Sequence, residues 1–307
     1  MKFLVKAMIA LLPLLISAPA VHANDLFATA DEHFEKREDS RAEIAKARTA
    51  YLALLSQVSG DDLVYAVAQL GRLAIYEGEM LLPKTARDER RQIFEQCWCT
   101  DPSVSILGGG SCRSPGFVEK IRTVGGFEHP AYFYFKGVCM AYWGEQGSAI
   151  EKLAFVGTIE SLINKAPTVD YNLIKGSDYE GGGAYRLAAG FYANPGAAVI
   201  GYYKPDDALV AIDKAIAAPA AIGDPSNGSQ YFDNLQGRVT VLIELNKKHP
   251  NGGWKQRGID YANQTLLNMT DIIDFDTYPA GRKAEFMYNY KMLKTHYKTL
   301  SGQDWAP

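Results

Sequence analysis

The sequence has few of the residue patterns that mark enzymes, metal sites and nucleic-acid-binding proteins. Its five histidines, His22, His33, His129, His249 and His296, are scattered, and none has His-Glu-x-x-His spacing. No Gly-x-Ser-x-Gly nucleophile motif is present. Basic clusters are lacking, and the net charge is −3 at pH 7. We therefore expect a binding protein rather than an enzyme, with no metal or cofactor and with no nucleic-acid partner.

Long apolar runs are also rare. Lys2 and Lys6 flank the start of one, residues 7–16, which is too short to span a bilayer. Val21-His22-Ala23 fits a small-x-small cleavage site, so we expect residues 1–23 to be a signal peptide and 24–307 to form one periplasmic domain. No cysteine follows the apolar run, which argues against a lipid anchor there, and no later run approaches ~20 apolar residues.

Cysteine is scarce, with Cys97, Cys99, Cys112 and Cys139 as the only four. An exported chain meets an oxidising compartment, so we expect two disulfides. Because Cys97 and Cys99 are separated by one residue, each needs a distant partner. That leaves 97–112 with 99–139, or 97–139 with 99–112, and the sequence does not decide between them. A four-thiolate zinc site is disfavoured because paired Cys-x-x-Cys spacing is absent. Residues 97–115 form a Cys- and Gly-rich insertion.

Helical periodicity recurs along most of the chain, and no convincing run of alternating strand residues appears. Ser40, with Glu43 three residues later, has the spacing of a helix capping box. The helix predicted at 147–165 has Ile150 and Leu153 among its apolar positions. The pattern predicts an all-α protein of about 11–12 helices, at 24–37, 40–58, 62–80, 83–97, 116–124, 129–145, 147–165, 179–192, 206–215, 231–247, 254–269 and 279–300.

Small and large residues recur with the spacing of tetratricopeptide-like helix pairs, whose period is about 34 residues. The stretch 179–219 fits best and organises our interpretation of the chain. Matching positions are Tyr185, Ala188, Ala189 and Tyr192, then Ala208, Ile212 and Ala215; Phe133, Lys136, Gly137 and Met140, then Ala149, Leu153 and Val156; and Ala47, Tyr51 and Leu54, then Val67, Leu70, Gly71 and Ala74. Together they predict a degenerate helical-repeat bundle or solenoid.

Three short motifs follow one another within residues 127–248. They are Ala141-Tyr142-Trp143-Gly144-Glu145, then Tyr179-Glu180-Gly181-Gly182-Gly183-Ala184-Tyr185-Arg186, then Pro205-Asp206-Asp207-Ala208. In this order they resemble the T component associated with TRAP transporters. The resemblance implies a periplasmic tetratricopeptide-like protein that passes small apolar ligands to or from a TRAP substrate-binding protein, in some members as a homotrimer. The sequence departs from that family in lacking a lipoprotein cysteine and in carrying the insertion at 97–115.

Two groups of residues are candidates for ligand binding. Tyr132, Tyr134, Tyr142 and Trp143, on the aromatic helix, suit either a ligand tunnel or an ordinary core. Core is the commoner role of aromatic residues at helical spacing, while the polar tips of tyrosines suit a wet cavity.

The second group is Gly182, Gly183, Tyr185, Arg186 and Tyr192. A helix N-terminus at the glycines would suit a carboxylate or phosphate, with Arg186 as a clamp. The alternative, which we favour, is that the glycines allow two helices to approach closely and that Arg186 pairs with a carboxylate. The expected ligand is small and apolar or amphipathic. The alternative function is a protein-interaction scaffold that uses a concave solenoid face.

Overall fold

Helices make up most of the chain. The computed structural model describes residues 21–98, 121–124, 127–221, 227–278 and 282–307. These ranges contain eleven α-helices: α1 (Val21–Glu35), α2 (Arg41–Leu54), α3 (Gly60–Ile75), α4 (Arg87–Trp98), α5 (Pro130–Gln146), α6 (Ala149–Lys165), α7 (Tyr179–Ala193), α8 (Pro205–Ile216), α9 (Phe232–Lys248), α10 (Trp254–Asp274) and α11 (Lys283–Ser301). The predicted all-α class is confirmed. Residues 1–20 of the predicted signal peptide and most of the insertion at 97–115 lie outside the described residues.

Two short antiparallel ribbons interrupt the helices. β1 (Thr123–Val124) pairs with β2 (Phe127–Glu128), and β3 (Asp170–Tyr171) pairs with β4 (Ile174–Lys175). The helix predicted at 116–124 is therefore wrong at its C-terminal end, where the backbone pairs with β2 instead. The ribbons hold two-residue strands, too short to leave an alternating pattern in the sequence.

The odd-numbered helices from α3 to α11 form one continuous row. Each contacts the next odd-numbered helix, while α4, α6, α8 and α10 each pack against two consecutive members of the row. This is the neighbour-to-neighbour packing of a helical repeat. The inner helices begin at Pro130, Tyr179 and Phe232, a spacing wider than the predicted 34 residues, because the β3–β4 ribbon and other short segments are inserted between helix pairs.

The row closes at its ends. After α3, residues Tyr76–Leu81 form a π-helical segment, and α11 packs against both this segment and α9. The Tyr288 hydroxyl donates to the Glu79 carboxylate at 3.2 Å, and Arg37 pairs with Glu285 at 3.3 Å. Thus the C-terminal helix closes the row against the π-helical segment, and both line the candidate site.

Burial follows the repeat pattern with one exception. Ala188, Ala189, Ala208, Ile212 and Ala215 are buried where α7 and α8 pack, as predicted. On α6 the five predicted apolar positions divide: Ile159, Leu162 and Ile163 are buried, whereas Ile150 and Leu153, near the start of the helix, are 78% and 55% exposed.

A disulfide joins α4 to α5, a member of the helix row. Cys97, near the end of α4, is bonded to Cys139 in the middle of α5, with their Cα atoms 6.0 Å apart. This selects the 97–139 alternative for these two cysteines. The predicted partners Cys99 and Cys112 lie outside the described residues.

A candidate ligand-binding cavity

A cavity of about 550 Å³ lies on the concave side of the helix row. Its wall is built by the end of α3, the π-helical segment, α5, α6, α7, α9, α11 and the 194–200 segment, with one contact from α8. This volume falls in the range of small-molecule sites, which span about 300–1,000 Å³. A π-helical segment replaces part of a helix here, as often happens at functional sites.

Most of the wall is apolar. The apolar side chains come chiefly from the inner helices and α6: Ile75, Met80, Val138, Ala141, Phe155, Val156, Ile159, Leu187, Phe191, Ile212, Val241 and Met292. Several of them are only partly buried because the cavity, rather than another side chain, lies against them. Such a surface suits the hydrocarbon part of a ligand.

One wall position is a glycine without a packing reason. Gly190 lies inside α7 and lines the cavity, and a Cβ atom added to it would meet no other atom within 4 Å. A glycine in a helix interior costs about 0.5–1 kcal/mol relative to alanine. Here the absence of a side chain leaves room in the cavity.

Carboxylates collect around Tyr142. Glu145, one turn further along α5, accepts a hydrogen bond of 3.1 Å from Asn194 Nδ2, and no basic side chain in the described ranges forms an ion pair with it. Glu145 is solvent-accessible at the cavity, yet the protein atoms packed around it, together with the Glu79 carboxylate, raise the pKa of Glu145. Burial also raises the pKa of Tyr142, and Glu79 and Glu145 add to that shift.

Asp233 on α9 is a second carboxylate in this wall. It accepts 2.7 Å from Asn289 Nδ2 on α11, and no described basic group forms an ion pair with it. Glu79, in contrast, is paired with Arg90 at 2.5 Å and also with Lys84. Glu145 and Asp233 are therefore the acidic wall residues whose charge the described neighbours leave uncompensated by contact.

Arg186 also lines this polar region, and the acceptors of its hydrogen bonds are neutral oxygens. Its guanidinium donates to the Tyr134 hydroxyl at 2.8 Å, to Asn234 Oδ1 at 2.8 Å and to the Glu180 carbonyl at 3.2 Å. The favoured sequence interpretation expected a carboxylate partner, and this detail is wrong: the Glu180 carboxylate pairs with Arg72 instead. The Arg186 side chain lines the cavity from this fixed position.

The glycine run does not open a regular helix. Glu180, Gly181 and Gly182 are all left-handed, with φ of 54°, 57° and 78°, so the right-handed turns of α7 begin only after them. A Cβ on Gly181 would lie 2.1 Å from the Tyr231 ring, and one on Gly182 would lie 2.7 Å from the Ala215 Cα. The close-packing interpretation of the glycines is confirmed.

The left-handed turn holds a buried charge. Glu180 is 8% exposed, and burial opposes its ionisation, but Arg72, with smaller contributions from Arg282 and Arg186, outweighs burial and holds the pKa of Glu180 below its usual value. A non-glycine residue in the left-handed region costs about 1–3 kcal/mol. The Arg72–Glu180 ion pair stabilises this left-handed turn, and the Glu180 carbonyl in the turn accepts a hydrogen bond from Arg186.

His296 on α11 completes the polar wall. Its Nε2 atom lies 2.7 Å from Gln236 Nε2 and 3.2 Å from Thr240 Oγ1, both on α9. Burial lowers the pKa of His296, which favours the neutral ring. With no carboxylate hydrogen-bonded to this ring among the described residues, the arrangement is not a nucleophile–histidine–acid triad.

The structure brings three of the nine predicted site residues to the cavity: Tyr134, Tyr142 and Arg186. Trp143 is 1% exposed and packs edge-on against Trp98 and Phe155, which is a core position. The other five are also placed in packing or outside the cavity wall: Tyr132 against Phe133, Gly182 against Ala215, Gly183 against Tyr134, Tyr185 beside Lys214, and Tyr192 beside Lys204. Their role in ligand binding stays a prediction.

Sequence reasoning missed Glu145, Gly190 and Asp233. Glu145 stood inside the quoted aromatic motif, and Gly190 inside the central helix pair, but neither is distinguished by its neighbours in sequence. Asp233 takes its place only when α9 packs beside α7. The one signal available was Gly190 itself, a mid-helix glycine without a turn around it.

No protein-family model matches this chain, and a comparison with curated proteins finds no match. The resemblance to TRAP T components therefore stays a prediction. In the part of the chain that the structure describes, no helix has both the length and the apolar character needed to cross a membrane. Among those same residues, no three His, Cys, Asp or Glu side chains come together in a geometry that would hold a metal ion.

Proposed function

We propose that this protein is an exported binding protein that takes up a small amphipathic molecule in the cavity between its inner helices. The observation that carries the proposal is the cavity itself: about 550 Å³, with apolar walls and a few polar groups whose bonding capacity the protein does not fill. Such a combination is the usual make-up of a small-molecule site. The wall offers no activated nucleophile among the described residues, so binding is better supported than catalysis.

The closure of the helix row supports this function over a protein-interaction scaffold. A scaffold of helical repeats presents an open concave face to its partner. Here α11 covers that face and is held by the Tyr288–Glu79 and Arg37–Glu285 contacts. The space that remains suits a small molecule better than a segment of another protein.

The sequence motifs suggest a setting for this activity. If the resemblance to TRAP T components holds, the protein passes its ligand to or from a periplasmic substrate-binding protein during solute uptake. The apolar walls are compatible with the ligand class that the resemblance implies. This setting is part of the proposal and has its own test, co-purification with a substrate-binding protein from the periplasm.

Native mass spectrometry of the protein purified from its own periplasm tests ligand binding directly. We expect a co-purifying small molecule that is released on unfolding. Gly190→Trp should abolish its capture, because the indole would occupy the cavity. Gly157→Trp is the matched control: Gly157 is also a mid-helix glycine with no atom near its missing Cβ, but it lies outside the cavity wall. Capture that is equal in both variants would contradict the proposal.

A further inference from the structure

Three polar side chains of the cavity wall, Glu145, Asp233 and Asn289, have unfilled capacity to accept hydrogen bonds. Glu145 and Asp233 each receive one hydrogen bond from an amide and no ion pair from a described residue. Asn289, which is 2% exposed and belongs to the cavity wall, has a buried side-chain oxygen without a donor. A site built from acceptors is complementary to a donor.

The charges in the cavity wall also favour a cationic donor. Two carboxylates at this end are left without a contacting cation, whereas Arg186 already donates to three neutral oxygens. Lys152 also lines the cavity, but it forms no ion pair with Glu145. Its field lowers the pKa of Glu145 less than burial and Glu79 raise it. The nearby cations therefore do not offset the combined effect of burial and Glu79 on the Glu145 carboxylate.

An amphipathic partner for this site needs an apolar body and a cationic donor. The apolar wall of α6 and α7, with Phe155, Ile159 and Leu187, lies in the same cavity as Glu145. Gly190 leaves that wall without a side chain at one point, which gives room for a hydrocarbon part. Aromatic rings such as Tyr142 and Phe191 in the wall also favour a cation over an anion, since ring faces are negative.

We propose that the molecule bound in this cavity carries a protonated amine, with Glu145 as its counter-ion and Asp233 as a second acceptor in the same cavity. This inference rests on the proposed small-molecule function and names its ligand class. An anionic headgroup could reach Lys152, but there it would also face the Glu145 carboxylate, and it would find the Arg186 donors already occupied. A neutral alcohol would fill the apolar part without relieving the charge of Glu145.

Three ligands that share one hydrocarbon chain test the headgroup: octylammonium, octan-1-ol and octanoate, titrated by isothermal calorimetry into the full protein at pH 7.5. We expect octylammonium to bind about tenfold or more tightly than octan-1-ol, because a hydrogen bond between charged groups is stronger than one from a neutral hydroxyl. Octanoate should bind most weakly.

Two variants assign the preference to its residue. Glu145→Gln keeps the size of the side chain and its bond from Asn194, and should remove most of the preference for octylammonium. Lys152→Met removes a cation from the same cavity and should preserve or increase the preference for octylammonium. It is the control for a general effect of substituting a charged residue in the cavity wall. Thermal melts of both variants confirm that they are folded.

The outcomes separate the two proposals. If octan-1-ol binds in a way that Gly190→Trp blocks, but octylammonium has no advantage or octanoate binds best, the cavity function stands and the amine assignment is overturned. An advantage for octylammonium that survives Glu145→Gln also overturns it. If none of the three binds, neither the amine assignment nor the proposed small-molecule function survives.

Discussion

The side-chain amide of Asn234 on α9 donates a hydrogen bond of 2.8 Å to the carbonyl oxygen of Gly181 in the left-handed turn. The same nitrogen also lies 2.7 Å from the Gly228 carbonyl and 3.2 Å from that of Ala215, while the Asn234 oxygen accepts from Arg186. Asn234 is fully buried. One side chain thus ties α9 to the turn, to the end of α8 and to the arginine of the cavity wall.

Replacing this residue should therefore be costly. We expect Asn234→Ala to lower the free energy of unfolding by about 2–4 kcal/mol, because it leaves buried carbonyls and the Arg186 guanidinium without partners. Urea denaturation followed by circular dichroism measures the change. Asn268→Ala on the exposed side of α10 is the matched control and should shift stability by no more than about 0.5 kcal/mol. Equal effects of the two substitutions would show that Asn234 is not a structural link.

Two glycines of α7 should respond to alanine with opposite signs. Gly181→Ala places a Cβ 2.1 Å from the Tyr231 ring at a φ of +57°, so we expect a loss of at least about 2 kcal/mol. Gly190→Ala meets no atom and gains helix propensity, so we expect a gain of about 0.5–1 kcal/mol. Thermal melts of both variants check the prediction, and a stabilised Gly181→Ala would mean that the left-handed turn is not present in solution.

Stability should fall as pH is lowered from about 6.5 to about 4. His129 is fully buried at the start of α5, where its Nδ1 accepts from the Ala131 backbone N–H at 3.1 Å, and burial lowers the pKa of His129 to about 4. The unfolded chain takes up a proton near pH 6.5 while the folded protein does not, so protonation favours unfolding across this window. The loss is at most about 3 kcal/mol.

His129→Asn tests that pH dependence, because asparagine can still cap the helix but does not titrate. In this variant the unfolding free energy should depend less steeply on pH, because the contribution of His129 is lost. Some pH dependence should remain from His296, whose pKa burial also lowers. Urea midpoints between pH 4 and pH 7 measure it. An unchanged slope would assign the acid sensitivity to other groups.

The Cys97–Cys139 disulfide should stabilise the packing of α4 against α5. Removing it in a Cys97→Ala/Cys139→Ala double variant should cost about 2–4 kcal/mol, since the bond closes a loop with a sequence separation of 42. Urea denaturation under oxidising conditions compares the two proteins. A peptide map of the native protein without reductant should contain the 97–139 cross-link, and a different partner for Cys139 would contradict the described pairing.

Local signals predicted the helices well because each helix carries its own pattern. The cap at Ser40 shows what such local signals cannot predict. The Ser40 side chain accepts a hydrogen bond of 3.3 Å from the Glu43 backbone N–H, as predicted. The Glu43 carboxylate, however, bonds to His33 and Lys46 rather than to the Ser40 backbone. A complete capping box with a carboxylate forms instead at the start of α6, between Ser148 and Glu151. Competing partners in space decided which carboxylate closes a box.

Features that depend on distant contacts escaped the sequence. The glycine run suggested a helix start, but the buried Arg72–Glu180 pair and the Tyr231 ring impose a left-handed turn. Periodicity placed Leu153 among the apolar positions of α6, yet it is exposed, since which stripe is buried depends on where α5 and α7 lie. The cavity is a property of several helices at once, so only Tyr134, Tyr142 and Arg186 were found in advance.

The contact between Arg37 and Glu285 spans 248 positions of sequence. A chain that leaves the ribosome, or crosses a membrane, from its N-terminus can form α3, α5 and α7 early, but the compartment they border has no fourth side until α11 arrives. Contacts of such sequence separation form slowly, because a long loop must close first. The wall of the cavity is thus completed only when the last helix docks, so the site is a late product of folding and is absent from any species in which α11 has not yet packed.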